Sequence, residues 1–212
     1  MTTLEIPTTT YAARLDAAHD SVAPDTPGVV VVGPGGFAYT TPRRLAEGPS
    51  WVSAATGRRL HGGDVRPVRN RVAARYGVAC VQLVDPTPGD PARARHGLLR
   101  HHLLRAHTKV LASTVELAVA DLGERTSAGG PLLGRQLVQA GLADAMLLVE
   151  ETEGLLDGGH DVQPAVFTRL VRGGRALLRL LGGASFLIDG PGGAVLTAEQ
   201  VGTLYLAAHH DH

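Results

Sequence analysis

The stretch Glu124-Arg-Thr-Ser-Ala-Gly-Gly-Pro-Leu-Leu-Gly-Arg-Gln136 separates two long periodic segments, and its reading decides the fold. Upstream, Leu99, Leu103, Ala106, Val110 and Leu117 trace one apolar stripe at helical spacing, which Leu104, Leu111, Val115, Ala118 and Leu122 widen. This predicts one helix from near Pro91 to Gly123, about 45 Å long at 1.5 Å per residue. Gly129 and Gly130 break it, and Pro131 is expected at the first position of a second helix that ends at Asp157-Gly158-Gly159. A third helix is expected from about Gln163 to Leu181, burying Val166, Leu170, Leu177 and Leu181 and stopping at Gly182-Gly183. The last is expected to start at Thr197, where Thr-Ala-Glu-Gln has the form of a capping box. Helix, short turn, helix is the pattern of an antiparallel four-helix bundle.

The first part of the chain is built differently. Ten of the 13 prolines lie at or before Pro91, which breaks this part into short elements. A boundary near Pro91 therefore divides residues 1–91, a small region of short strands, from 92–212, the helical bundle. Tyr11 to Ser21 reads as a short helix. Val29 to Val32, Phe37 to Thr41, Trp51 to Ala55 and Val78 to Val84 read as strands between Gly and Pro turns. Arg66 to Tyr76 stays open between helix and loop. The fold class is α+β, mainly α.

Composition narrows the partners. Twenty Lys+Arg balance 20 Asp+Glu, so a nucleic-acid backbone is not the expected partner. Lys109 is the only lysine; the arginine fork suits pyrophosphate and carboxylate groups, and GC-rich codon usage explains the bias equally well. Cys80, the single cysteine, sits in an apolar strand pattern and is given no reactive role. The amino-terminal residues show no signal-peptide pattern and no apolar run approaches the roughly 20 residues of a membrane span, so a cytoplasmic setting is expected.

The dividing stretch resembles a turn of the acyl-CoA dehydrogenase family, Arg-x-x-Phe-Gly-x-Pro-Leu followed by a Gln that begins the next helix. Arg125, Gly129, Pro131, Leu132 and Gln136 stand at the matching positions, with Ala128 in place of the Phe. Leu180-Leu-Gly-Gly-Ala-Ser-Phe186 is similar to the family's Gln-x-x-Gly-Gly-x-Gly-Phe/Tyr segment. Asp189 falls at its acidic position, Pro191 at its proline, and Tyr205 at the tyrosine of its Tyr-Glu-Gly loop. The resemblance covers residues 95 to 208. It implies a C-terminal bundle of acyl-CoA dehydrogenase type and FAD held at a subunit interface by Arg125, Gln136, Gly182 and Gly183. It also implies an acyl thioester of CoA or a carrier protein as substrate, and an oligomer, either of this chain alone or with a fuller dehydrogenase subunit.

The departures from the family are equally specific. Many members carry the proton-removing glutamate after the tyrosine, where this chain has Leu206; others carry it on the first long helix, at the position of Leu99. Leucine cannot act as a general base, so the catalytic residue is unknown. The family's Gln before the double glycine aligns with Arg179, which either pairs with a pyrophosphate or sits in water. Its Arg-Asp after the proline aligns with Thr197-Ala198. About 90 leading residues are too few for both the leading helical domain and the β domain of a full-length member, so the strands are read as a reduced β domain. The function expected is a shortened dehydrogenase-like flavoprotein, either a partner subunit or altered in chemistry. The alternative is a flavin-free scaffold or a cofactor-independent biosynthetic enzyme using the same bundle.

Other motifs are read structurally. Gly33-Pro-Gly-Gly36 precedes a strand pattern and not a helix, so it reads as a hairpin turn and not a phosphate loop. Gly57 to Asp64 reads as a solvated loop. No metal site is expected from His101, His102 and His107 or from His209-His-Asp-His212, and Glu150, Glu151 and Glu153 read as the wet face of the second long helix.

Overall fold

The computed structural model of the protein describes residues 8–23, 26, 28–91, 96–159, 163–186 and 190–207. Helix α1 (Thr8–Val22) buries Leu15, Ala18 and Val22 completely. Strand β1 (Val29–Val32) is four buried valines, as expected of a strand covered on both faces. A tight turn at Pro34–Gly36 leads into β2 (Phe37–Thr40). Thr41 then caps α2 (Pro42–Ala46), its hydroxyl accepting from Arg44 N, with Pro42 pre-set for the first turn. Strands β3 (Ser50–Ser53), β4 (Arg58–His61) and β5 (Asp64–Val68) follow. Helix α3 (Arg71–Arg75), capped by Asn70, then precedes β6 (Ala79–Val84) and β7 (Thr87–Pro91).

These strands form two sheets, ordered β1-β3-β4-β7 and β2-β6-β5. Only the β1–β3 pair is parallel. The expected β1–β2 hairpin is corrected here: a turn joins the two strands, but β1 pairs with β3 and β2 with β6. Two further readings change. Gly57 to Asp64 contains β4 as well as turns, because Leu60 pairs with Trp51 on one side and Pro88 on the other. Arg66 to Tyr76 is strand and then helix, the switch set by the Asn70 side chain accepting from Ala73 N at 3.1 Å.

Helix α4 (His96–Glu124) is 29 residues long and buries Leu99, Leu103, Ala106, Val110 and Leu111. A two-stranded turn of β8 (Thr126–Ser127) and β9 (Gly130–Pro131) separates it from α5 (Gln136–Asp157), and α6 (Pro164–Leu181) and α7 (Pro191–Tyr205) complete the fold. The architecture is α+β and mainly helical. Helix α4 packs against α1, α5, α6 and α7, and one apolar cluster runs from α1, β1 and β3 into all four later helices.

Two helix starts differ from expectation. Pro131 does not open α5: it pairs with Thr126, Leu132 N donates to Arg125 O, and the backbone stays extended at Arg135, so the helix begins at Gln136. Helix α7 begins at Pro191, a whole turn and more before Thr197. Thr197 is fully buried within it and donates to Gly193 O at 2.8 Å, while Gln200 accepts from Asn70 at 2.9 Å, so neither makes a capping box. A Cβ at Gly202 would overlap the Phe167 ring, so α6 and α7 approach closely there.

Two charged or titratable side chains, Arg44 and His107, are buried. Arg44, 2% exposed, donates to Asp16, Asp20 and the carbonyl of Val29, which fastens α2 to α1. Burial alone would lower its pKa, but the hydrogen bonds to Asp20 and Asp16 outweigh that and raise it. His107 lies edge-on to Phe167 with ring centroids 5.5 Å apart, and its Nδ1 has no hydrogen-bond partner. Burial lowers its pKa to about 4.

His107 therefore stays neutral in the fold at a pH where the unfolded chain, near its ordinary value of about 6.5, takes a proton. The unfolded state then binds more protons, so stability is unaffected above about pH 6.5 and falls as pH drops toward about 4. Urea unfolding at pH 7.5 and 4.5 is expected to show His107→Leu recovering on the order of 2 kcal/mol of the acid loss. An unchanged pH dependence in the variant would contradict the assignment.

Candidate functional site

The two segments that carry the resemblance lie together at one end of the helices. Arg125, just beyond the end of α4, donates from Nη1 to Leu181 O at 2.9 Å, the last carbonyl of α6, and to Asp121 at 3.1 Å. That carbonyl is one of the four a helix leaves without an internal partner, so Arg125 acts as a side-chain cap. Gly182 follows with φ 81° and ψ −170°, a conformation open only to glycine, and its N–H closes back on α6. A Cβ there would stand 3.9 Å from Arg125 Nη2, and one at Gly183 would meet nothing within 4 Å. Arg125 is exposed, and so is Gly183.

Gln136 is also exposed, as the first residue of α5, and makes no hydrogen bond to Arg125 or Gly182 among the described residues. Ala128 is exposed as well. Arg179 lines an open groove of about 230 Å³ between α6 and α7 with Arg175, Phe186, Leu196 and Glu199; Arg175 pairs with Glu199 and leaves Arg179 facing the groove. Asp189 and His209 to His212 lie outside the described residues.

The positions where a base would be expected are apolar and closed. Leu206 is 1% exposed and Leu99 2%, and both belong to the main core cluster. Tyr205 points inward: its hydroxyl accepts from Tyr39 N at 3.0 Å and donates to Val31 O at 2.8 Å. Burial pushes its pKa well above the usual range, so it holds its proton. Cys80 is buried and its thiol is likewise pushed up by burial.

Sequence reasoning missed His19, the partner of Tyr205. Its Nδ1 accepts from Val31 N at 3.2 Å and its Nε2 donates to Tyr39 O at 2.8 Å, a pairing that fixes the tautomer. Burial is the main cause that lowers its pKa to about 4. The N–H and C=O of both Val31 and Tyr39, which would pair directly in a hairpin, are thus satisfied by two side chains. No local pattern around His19 announces this, because its partners come from β1, β2 and α7.

No family model and no curated protein matches the sequence. Solved structures do match in fold. Butyryl-CoA dehydrogenase from Megasphaera elsdenii aligns with a TM-score of 0.56 at 10% identity, over 85% of this chain and 59% of that one. A glutaryl-CoA dehydrogenase from Mycobacterium smegmatis in complex with FADH2 aligns at 0.54 and 16% identity, over 88% and 61%. FkbI, described as serving biosynthesis of a methoxymalonyl extender unit, aligns at 0.56 and 16%, over 84% and 61%. The chain shares the acyl-CoA dehydrogenase fold and spans about three fifths of the length of these proteins. Among the described residues, no helix is long and apolar enough to cross a membrane.

Two substitutions test this geometry. Tyr205→Phe leaves Tyr39 N and Val31 O buried without a partner and is expected to cost about 2 to 4 kcal/mol, roughly 5 to 15 °C in Tm by calorimetry. Leu206→Glu is expected to destabilise by about 3 kcal/mol or more and to confer no dehydrogenase turnover, because it sets a carboxylate in the core. Turnover by a stable Leu206→Glu protein would show that position 206 opens to a substrate.

Proposed function

We propose that the chain is a shortened, acyl-CoA dehydrogenase-like flavoprotein subunit that holds FAD at an interface with another subunit, of its own kind or a fuller dehydrogenase. The observation that carries this is the hydrogen bond from Arg125 to Leu181 O, which brings the two matched segments, distant in sequence, to one place. In this reading residues 92–212 correspond to the family's C-terminal four-helix bundle and residues 1–91 to a reduced β domain. The fit to a pyrophosphate rests on an exposed guanidinium beside Gly182 and on the empty space over Gly183, where any side chain would stand. Arg125 supplies charge, the Gly182-Gly183 backbone allows close approach, and Gln136 offers an amide at the start of α5, while Arg179 faces the α6–α7 groove. When bound, the flavin accepts hydride from an acyl thioester. With leucine at positions 99 and 206, this chain provides no carboxylate there to remove the α proton, so that group comes from the partner or the chemistry differs.

A flavin-free scaffold is the second reading, favoured by Ala128 in the Phe position and by the lack of a hydrogen bond between Gln136 and Arg125 among the described residues. Gel filtration of the purified protein, alone and after incubation with FAD and with a fuller dehydrogenase subunit, separates the two by flavin absorbance. The protein is expected to carry flavin, and Arg125→Ala to weaken its retention roughly 10-fold or more, the loss of one charge-assisted hydrogen bond. A protein that stays colourless under all three conditions would overturn the proposal in favour of the scaffold.

A further inference from the structure

Asp121 stands against the electrostatics of its own helix. The last turn of α4 presents unpaired carbonyls and favours a cation, yet residues 121 to 124 carry Asp121 and Glu124 and no basic side chain. Among the described residues Asp121 is answered by Arg125, one turn further on, whose Nη1 donates to Asp121 at 3.1 Å and to Leu181 O at 2.9 Å. The pair is open to water, with 46% of the arginine side chain and 38% of the aspartate exposed. An exposed pair one turn apart adds little to stability. Helix stability therefore does not account for a carboxylate at this point.

Its effect on the guanidinium is specific. Two acceptors share Nη1, one of them charged, so the charge of Arg125 is already partly neutralised on the side of α4. Nη2 and Nε make no hydrogen bond among the described residues, and Nη2 lies 3.9 Å from where a Cβ on Gly182 would stand. An anion arriving over Gly182-Gly183 thus meets the free edge of a guanidinium whose other edge holds a carboxylate. A doubly charged anion within about 6 Å of that carboxylate is repelled by more than thermal energy even in water.

We propose that Asp121 is a built-in counter-ion of Arg125 that weakens the hold of this site on a free anion, so that only a ligand with further contacts, such as a dinucleotide reaching into a second subunit, is retained. The inference rests on the reading of Arg125 as a pyrophosphate-holding residue and adds to it a residue that sets selectivity. Asp121 touches no ligand in this scheme; it acts through Arg125 and through its own charge.

Inorganic pyrophosphate is the probe, titrated into isotope-labelled protein at about 50 mM salt while the amides of Gly182 and Gly183 are followed by NMR. Asp121→Asn keeps the shape and removes the charge, and is expected to move these amides at a roughly 5-fold lower pyrophosphate concentration than the wild type. Asp121→Glu keeps the charge and is expected to titrate like the wild type. The gain in Asp121→Asn is expected to shrink at about 0.5 M salt and to vanish when Arg125→Ala is added. Melting temperatures of the wild type and Asp121→Asn are expected to agree within about 2 °C, which separates an effect on the anion from one on folding. Asp121→Asn titrating at the same or a higher concentration, a gain that survives Arg125→Ala, or amides that move in neither protein would overturn the proposal. Flavin absorbance is read on the same proteins: a colourless chain whose Asp121→Asn form still gains affinity keeps the counter-ion and overturns the cofactor reading alone.

Discussion

Everything in this protein is arranged around the burial of α4. A helix in contact with α1, α5, α6 and α7 has little of its surface left for water, and its sequence reflects that. Thr108 and Thr114 are fully buried and satisfy their hydroxyls within the helix, on Leu104 O and Val110 O. Two of its charged groups are answered by α5: Arg105 pairs with Asp157 at 2.6 Å and Lys109 with Glu153 at 2.5 Å. These pairs fix how α5 lies along α4, while apolar contact supplies the stabilisation. His107 keeps one imidazole nitrogen unpaired in the same interior.

The elements that packing repeats along a helix were legible in the sequence. The apolar stripe of α4, the stop of α6 at Gly182 and the strands β1, β2 and β6 each follow from a periodicity or a turn residue nearby. What was not legible depends on partners far along the chain. Thr197 has the local look of a helix cap, but Pro191 had already started the helix, and Thr197 lies inside it with its side chain buried. The sequence Gly33 to Gly36 looks like a hairpin turn, yet His19 and Tyr205 come between the strands it joins. Local rules describe a segment's preference; the core decides which preference is used.

The site shows the same division. Arg125 and the Gly182-Gly183 pair were marked by motif, and the fold brings them within one hydrogen bond of each other. The capping of α6 by Arg125 is enough to keep this geometry in a chain that binds nothing, which is why the cofactor has to be tested by its own absorbance. Leu206 is the more decisive residue. It follows a tyrosine whose hydroxyl is committed to two backbone groups, and it is packed in the core. The end of α7 is thus a structural joint, closed to solvent at Leu206.

That joint also sets an order of events in synthesis. Tyr205 and Val31 are 174 positions apart, so the gap between β1 and β2 is closed only by a helix far downstream. Until then Val31 and Tyr39 expose backbone groups that could pair with any passing strand. His19 is available early and can occupy half of the gap from α1, which is complete before either strand emerges. The gap is thus filled from both ends of the described chain, by His19 on the helix before the two strands and by Tyr205 on the last helix after them.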